Sequence, residues 1–390
     1  MRKSKNFSDV IVIGGGPAGL TLSALLASAG VSVTCLDREE KKTHLSKSYD
    51  GRTTAISYGS SNVLSHAGVW SELENEACAI RDIRILDGDS PVLMSFLSSD
   101  MDGKSFGWIV ENRIMRQALF RKLTDHNTAD HVTGTEVRDI QKESDHVSVR
   151  TEQGQIYKAS LLVGADGYAS ITRKALGITT RSWRYNQKAL VSVIQHENPN
   201  DNIAYEHFRP EGPFAILPMK DDAQGHHRSA VVWSDHNSQT LDHLSDETLL
   251  AAMETRFPNH YGRLSLGGFR AVYPLGLQHA GEYIGHRSAL IAEAAHVMHP
   301  IAGQGLNMSL RDVAALAEEV IAARDDGSDI ASDKVLENYQ RRRRPDNTAM
   351  LAATDGLTRL YGVRFPPVSL ARKAGVRIIN AVSPARKFFM

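Results

Sequence analysis

The chain has 390 residues, enough for two domains and a large core. Hydrophobic residues make up 42 % and charged residues 23 %, and 45 basic side chains balance 45 acidic ones, so the bulk properties give no reason to expect a nucleic-acid partner. Cys35 and Cys78 lack framework spacing, the N-terminal segment lacks an apolar h-region, and no run of about 18 apolar residues occurs; the expectation is a cytosolic protein with free thiols and no conventional spanning helix.

Residues 10–13 form a short apolar run, residues 18–29 carry helical periodicity, and residues 31–36 are strand-like again. That is a βαβ unit, which predicts a parallel sheet. Between strand and helix lies Gly14-Gly15-Gly16-Pro17-Ala18-Gly19, with glycines at the positions of Gly-x-Gly-x-x-Gly. Gly14 permits the tight turn, Gly16 lets the backbone approach a pyrophosphate, and Gly19 lets helix and strand pack closely. The phosphates would sit on the helix N-terminus, where unpaired N–H groups and the dipole favour negative charge. Asp37 closes the second strand, where a carboxylate accepts from ribose hydroxyls. These parts together predict a dinucleotide site, and leave nicotinamide or flavin undecided.

Residues 111–123 read as an amphipathic helix, with Ile114, Met115, Ala118, Leu119 and Leu123 at helical spacing. Residues 132–140, 147–151 and 156–163 read as successive strands of a meander. The last runs into Gly164-Ala165-Asp166-Gly167, with Arg173 beyond. Asp166 either serves a cofactor hydroxyl or a phosphate water, with Gly167 leaving room, or caps the following helix. From about residue 180 the texture changes. Residues 189–195, 203–208, 214–218 and 229–233 are short apolar or alternating runs, which predict an antiparallel sheet inserted between parts of the nucleotide domain. Residues 245–257 open with Ser-Asp-Glu-Thr, a helix start.

The first domain is expected to resume near residues 272–275 and 289–292. The latter run leads into Glu293, a Gly/Pro loop and a helix beginning near Asn307. Such a loop can set bare N–H groups and a helix N-terminus against a flat, electron-accepting ring. With the dinucleotide fingerprint and the Asp166 element, it suggests a flavin. Residues 306–323 form a long helix, and residues 333–344 start another before Pro345. The run of arginines at 341–344 reads as a solvated helix end, and His226-His227 as exposed turn polarity. His296 and His299 have the spacing of a metal pair, but no further ligand cluster accompanies them, so loop packing is expected and no metal. Residues 356–390 hold seven basic side chains and no acidic one, interleaved with apolar residues. They form either a layer packed on the flavin domain or a face lying on an anionic membrane.

Asp50-Gly51-Arg52-Thr53-Thr54-Ala55-Ile56-Ser57, Gly212-Pro213-Phe214-Ala215-Ile216-Leu217-Pro218 and His299-Pro300-Ile301-Ala302-Gly303-Gln304-Gly305-Leu306-Asn307 extend the picture. With the glycine fingerprint and Asp166, they resemble the class A flavoprotein monooxygenases, and within them the ubiquinone-biosynthesis hydroxylases acting on polyprenylated phenols. The resemblance covers residues 9–344, and more weakly the remainder. It implies an α/β fold: a Rossmann-like FAD-binding domain (1–75, 105–179, 272–330), an inserted antiparallel-sheet substrate domain (76–104, 180–271) and C-terminal helices (331–390).

It also implies roles. Gly14, Gly16 and Gly19 would hold the pyrophosphate, Asp37 the adenosine ribose, and Arg52 and Arg113 the phosphate–ribityl stretch. Asp166 would serve FAD and the approach of the nicotinamide donor. Pro300, Gly303, Gln304, Gly305, Leu306 and Asn307 would wrap the isoalloxazine, and Ala18, Arg38, Val137, Gly167 and Glu293 complete the implied cofactor set. The family has Gly-Asp where this chain has Ala292-Glu293; glutamate keeps the charge and the acceptor but is one methylene longer.

The implied reaction uses NADPH or NADH to reduce FAD and O₂ to form a flavin C4a-hydroperoxide, which hydroxylates a polyprenyl phenol. Implied settings are peripheral contact with the inner membrane through residues 356–390 and a ubiquinone-biosynthesis protein complex. A hydroxylase of a small soluble aromatic, and a non-catalytic flavoprotein scaffold, are the alternative readings. No Ser-His-Asp set or cysteine nucleophile stands out, and no catalytic base can be named.

Overall fold

The computed structural model describes residues 7–46, 51–88, 93–209, 211–236, 241 and 243–362. The first sheet is built on five parallel strands in the order β18 (Ser288–Leu290), β11 (Ile156–Gly164), β1 (Phe7–Ile13), β2 (Val33–Leu36) and β8 (Ala129–Val132). Strand β17 (Ile284–Gly285) extends one edge, and β9 (Val137–Lys142) and β10 (Val147–Thr151) turn back on β11. The run at residues 10–13 is apolar throughout because both faces are covered. Val10 and Val12 pack with helix α1 (Pro17–Ser28), while Ile11 and Ile13 pack with Val147 and Val149 of the meander.

A second eight-stranded sheet has the order β19 (His296–Val297), β16 (Leu264–Ala280), β12 (Thr180–His196), β15 (His227–Asp235), β14 (Gly212–Met219), β13 (Ile203–Arg209), β5 (Asp82–Asp87) and β6 (Leu93–Leu97). Its outer face, with Leu190, Phe214, Ile216 and Trp233, packs on Leu249 and Met253 of a helix at Asp246–Glu254. Its inner face turns toward a small sheet of β3 (Thr53–Ile56), β7 (Gly107–Glu111) and β4 (Cys78–Ile80), clustering Val193, Ala204 and Ala230 with Ala55 and Ile109.

In chain order the remaining helices are α2 (Lys41–His44), α3 (Tyr58–His66), α4 (Trp70–Glu74), α5 (Asn112–Thr124), α6 (Ile171–Ala175), α7 (the Asp246–Glu254 helix), α8 (Gly305–Asp325) and α9 (Asp333–Gly362). Helix α1 lies between α5 and α8. Both cysteines are free and buried. Among the described residues no helix is long and apolar enough to cross a membrane.

Four expectations are corrected. Residues 272–275 do not return to the nucleotide domain: β16 stays hydrogen-bonded to β12 from His196↔Leu264 to Thr180↔Ala280, so the chain leaves the second sheet only after Ala280. The expected strand at 132–140 is broken into β8 and β9 at Gly134, which takes a left-handed φ of 67°. Helix α9 does not stop before Pro345 but runs through it. A proline costs a helix roughly 3 kcal/mol, and here bonds on either side of it, from Arg343 and Asn347 to Asp312 of α8, clamp both halves onto the core. The arginine run is therefore not uniformly solvated, since Arg343 is buried. Of the basic apolar tail, residues 363–390 lie outside the described residues.

Candidate active site

The glycines of the first loop divide by what surrounds them. Gly14 has φ 111°, and a Cβ there would fall 2.3 Å from the carbonyl oxygen of Ala165. A Cβ on Gly19 would fall 2.0 Å from the carbonyl oxygen of Gly14, so both serve packing. Gly16 instead faces open space, with nothing within 4 Å of a Cβ. It is also the N-cap of α1 and gives it no side-chain cap, which leaves the first-turn amides facing that space. Ala18 is buried in the first turn.

Asp37 is buried at the end of β2, and a Cβ on Gly15 would lie 1.9 Å from its Oδ2. The Glu39 amide donates to Oδ1 at 3.0 Å. His44 Nε2 stands 2.7 Å and His131 Nε2 3.7 Å from Oδ2. Burial alone would raise the carboxyl's pKa, but His131, His44 and the Glu39 amide outweigh it and hold the group well below the usual carboxylate range. Residue order carries no sign of this cluster, because α2 and β8 bring the histidines together only in the folded chain. Arg38 is largely exposed and lies 3.7 Å from Glu39, and the Val137 side chain is buried with Ile11 and Leu36, away from the loop.

Asp166 behaves as a cap. Its Oδ1 accepts from the Ser170 hydroxyl at 2.5 Å, and its Oδ2 from the Thr172 amide at 2.9 Å and hydroxyl at 3.0 Å. Gly167, at φ 76°, lies beside Glu293, whose Oε2 would be 3.9 Å from a Cβ there. Glu293 itself is exposed. Arg173 ties the two loops together, donating to the carbonyl oxygens of Ala294 and Tyr168 at 2.8 Å each.

The residue before Glu293, Ala292, sits at φ 56°, in the left-handed region. Its amide donates to Asp312 Oδ2 at 3.1 Å. That carboxylate is fully buried: His296 Nε2 lies 2.6 Å from Oδ2, while Arg343 Nε and Asn347 Nδ2 donate to Oδ1 at 2.9 and 3.0 Å. Burial would raise its pKa, but His296 and Arg343 outweigh burial and keep it low.

In the following loop the Ile301 amide donates to His299 Nδ1 at 3.3 Å, which leaves Nε2 to donate to Gln187 Oε1 at 3.2 Å. Burial pushes His299 down to about 4, so it is neutral. Both loop histidines are thus engaged by protein groups. Gln304, the N-cap of α8, gives no side-chain cap; a Cβ on Gly305 would meet open space, whereas one on Gly303 would lie 3.2 Å from the Ala55 Cβ. Leu306 is partly buried against the main core, and Pro300 caps the short 3₁₀ turn. The Asn307 side chain is spent elsewhere: it accepts from the Ser57 amide at 3.0 Å and donates to the Ala55 carbonyl at 2.9 Å, pinning β3 to α8.

Arg52 lies over the Tyr273 ring at 5.6 Å, and Arg113 donates to Glu111 at 2.8 Å, which also takes Arg228 of β15 at 3.1 Å. Between the loop and the inner face of the second sheet lies a small cleft lined by Phe208, Arg209, Pro213, His236, Ile301 and Tyr361, and further along that face Ala204 and Val193 pack with Ala55 and Ile109.

A family model described as "FAD binding domain" matches residues 8–354. The chain is 40 % identical to the ubiquinone hydroxylase UbiL of Rhodospirillum rubrum, over 98 % of this chain and 88 % of that one. It is 32 % identical to the human mitochondrial ubiquinone biosynthesis monooxygenase COQ6, over 98 % and 91 % respectively. Among solved structures, p-nitrophenol 4-monooxygenase PnpA from Pseudomonas putida shares the fold with a TM-score of 0.80 at 20 % identity, covering 98 % of this chain and 97 % of that one. An uncapped glycine turn, a buried carboxylate at the end of the second strand and a second uncapped helix start thus belong to a chain that is a member of the FAD-dependent monooxygenase family.

Proposed function

We propose that the protein is an NAD(P)H- and O₂-using hydroxylase of a polyprenylated phenol in ubiquinone biosynthesis. The observation that carries this is the uncapped glycine turn of α1 set in the same fold as a second uncapped helix start at the 298–307 loop, which borders the second sheet. Relatives named as ubiquinone hydroxylases support the substrate class. FAD held at this site would supply the redox chemistry, namely acceptance of two electrons from the nicotinamide donor and activation of O₂.

The protein's own residues bind and orient. The α1 amides around Gly16 take the pyrophosphate, Asp37 the ribose hydroxyls and Glu293 a ribityl hydroxyl. Arg52 and Arg113 stand along the phosphate stretch, and Asp166 sets the loop that Glu293 adjoins. The N-terminus of α8 favours negative charge on the reduced ring. The apolar inner face of the second sheet excludes water from the reacting centre.

The prenylated substrate is favoured over a small soluble one by Leu357 and Leu360, both 40 % exposed at the end of α9 near Tyr361. Residues 356–390 would bring the enzyme to an anionic bilayer where such a substrate dissolves; absence of binding to anionic vesicles by the full chain would refute that contact. The hydroxylase reading is tested by the visible spectrum and by anaerobic addition of NADPH or NADH with and without a prenylated phenol. Flavin bands that bleach faster with the phenol support it. A colourless protein that cannot be reconstituted with FAD refutes it.

A further inference from the structure

One row of side chains crosses the inner face of the second sheet. The strand registers align Ile85, Glu206, Ala215, Val232, Val191 and Ala271 on neighbouring strands from β5 to β16. Five of the six are aliphatic, and the sixth is a glutamate. Side chains alternate along a strand, so Glu206 shares its face with Ala204 and Phe208, while Tyr205 points to the opposite core with Ile216. Ala204 clusters with Ala55 and Ile109, and Phe208 lines the cleft with Ile301 and Tyr361. Glu206 lies on this face between the two, one strand repeat from the cleft-lining Phe208.

No hydrogen bond or ion pair to Glu206 is made by any other described residue. It keeps intermediate exposure while protein surrounds it, as a side chain lining an internal cleft does. Burial pushes its pKa up to about 7. An unpartnered carboxyl among aliphatic side chains costs stability and supplies no packing that a leucine would not. Carboxyls with such values cluster where protons are moved.

We propose that Glu206 is the catalytic base that takes the proton of the substrate's phenolic hydroxyl, an inference that rests on the hydroxylase reading above. The O–H bond breaks, its proton passes to a Glu206 carboxylate oxygen, and the electron pair stays on the phenolate. That raises electron density at the ring carbons ortho and para to the oxygen. One of them receives an oxygen atom from O₂, and its hydrogen leaves as a proton when the ring regains aromaticity. The nicotinamide donor supplies two electrons, and the second oxygen atom departs as water. A base is most effective when its pKa lies near the working pH. The other charged or titratable groups facing this side of the sheet are Asp87 on β5, Arg209 and His236 beside Pro213, His299 behind Ile301, Tyr361 on α9, Arg52 with Tyr273 at the β16 edge, and Arg228 of β15 with Glu111 and Arg113. None of these stands in the row of Glu206.

Glu206→Gln keeps shape and removes the base, and FAD content verifies that the variant folds. With wild type held anaerobic, binding of a phenol should produce the ultraviolet absorption of a phenolate, with a midpoint below that of the free phenol. The Gln variant should bind the phenol without ionising it. Hydroxylation should fall by about 10²–10⁴-fold near neutral pH and recover as the pH rises or as more acidic phenols are used. Glu206→Asp, which keeps an acid, should retain the ionisation. Equal phenolate formation in wild type and the Gln variant, or an unchanged pH profile of turnover, would overturn the assignment. A wild-type protein that binds FAD yet hydroxylates no phenol would instead overturn the underlying reading.

Discussion

Asp312→Asn should destabilise the protein by about 3–5 kcal/mol, the cost of leaving a buried charge without its partner. The structure supplies the reasons. Two carboxylate oxygens meet three donors and the His296 ring, and an amide offers one acceptor oxygen only. Whichever way the amide turns, one pair of these groups faces an NH₂. Arg343 is then left buried with Asp346, 2.8 Å away and part exposed, as its remaining counter-charge. With its oxygen turned to the charged Arg343, the amide gives up the bond to the Ala292 N–H, and alanine in the left-handed region lies roughly 1–2 kcal/mol above its ordinary conformation. The loop carrying Glu293 should therefore relax first and release flavin below the temperature of global unfolding. Scanning calorimetry run beside flavin fluorescence separates the two events. Ala292→Gly removes the strain, so combined with Asp312→Asn it should restore part of the flavin retention, with a coupling of about 1 kcal/mol in the double-mutant cycle. A loss below about 1 kcal/mol for Asp312→Asn, or strict additivity of the two changes, would refute the argument.

Two further outcomes follow from the nucleotide loop and Asp37. Gly16→Ala should leave the melting temperature of the flavin-free protein unchanged and abolish FAD binding, because a Cβ there meets only the open space proposed for the pyrophosphate; Gly19→Ala should destabilise the fold itself, its Cβ lying 2.0 Å from a backbone oxygen. Full flavin content in the Gly16 variant would refute the first half. Asp37 has a folded pKa below its ordinary 3.8, so its ionised form contributes stability that is complete above about pH 4 and is lost as the pH falls further. Replacing His44 by Phe removes one of the contacts that depress it, so acid unfolding and flavin release should begin at higher pH; superimposable acid limbs would count against the cluster.

Much of this is legible from residue order. The doubly covered stretches at 10–13 and 161–163 appear as unbroken apolar runs because parallel sheets hide both faces. The glycine turn, Asp37 and the 298–307 loop stand out because their chemistry is local. What escapes depends on distant partners. Nothing in residues 272–277 says which sheet they join, since that is decided by their ladder with β12. Pro345 carries a stop signal that bonds to Asp312 override. Ala292 adopts a backbone region that its residue type disfavours. Glu206 looks like any polar residue of a half-buried strand until the register shows what it faces.

The two 17-residue strands β12 and β16 have a consequence for engineering. They run as one ladder from the outer core under α7 to the short strand β19 that precedes the 298–307 loop. A recombination point placed between the supposed modules, near residue 272, would cut through this ladder and strand half of it with a foreign partner. Chimeras with relatives should therefore carry residues 180–297 as one block.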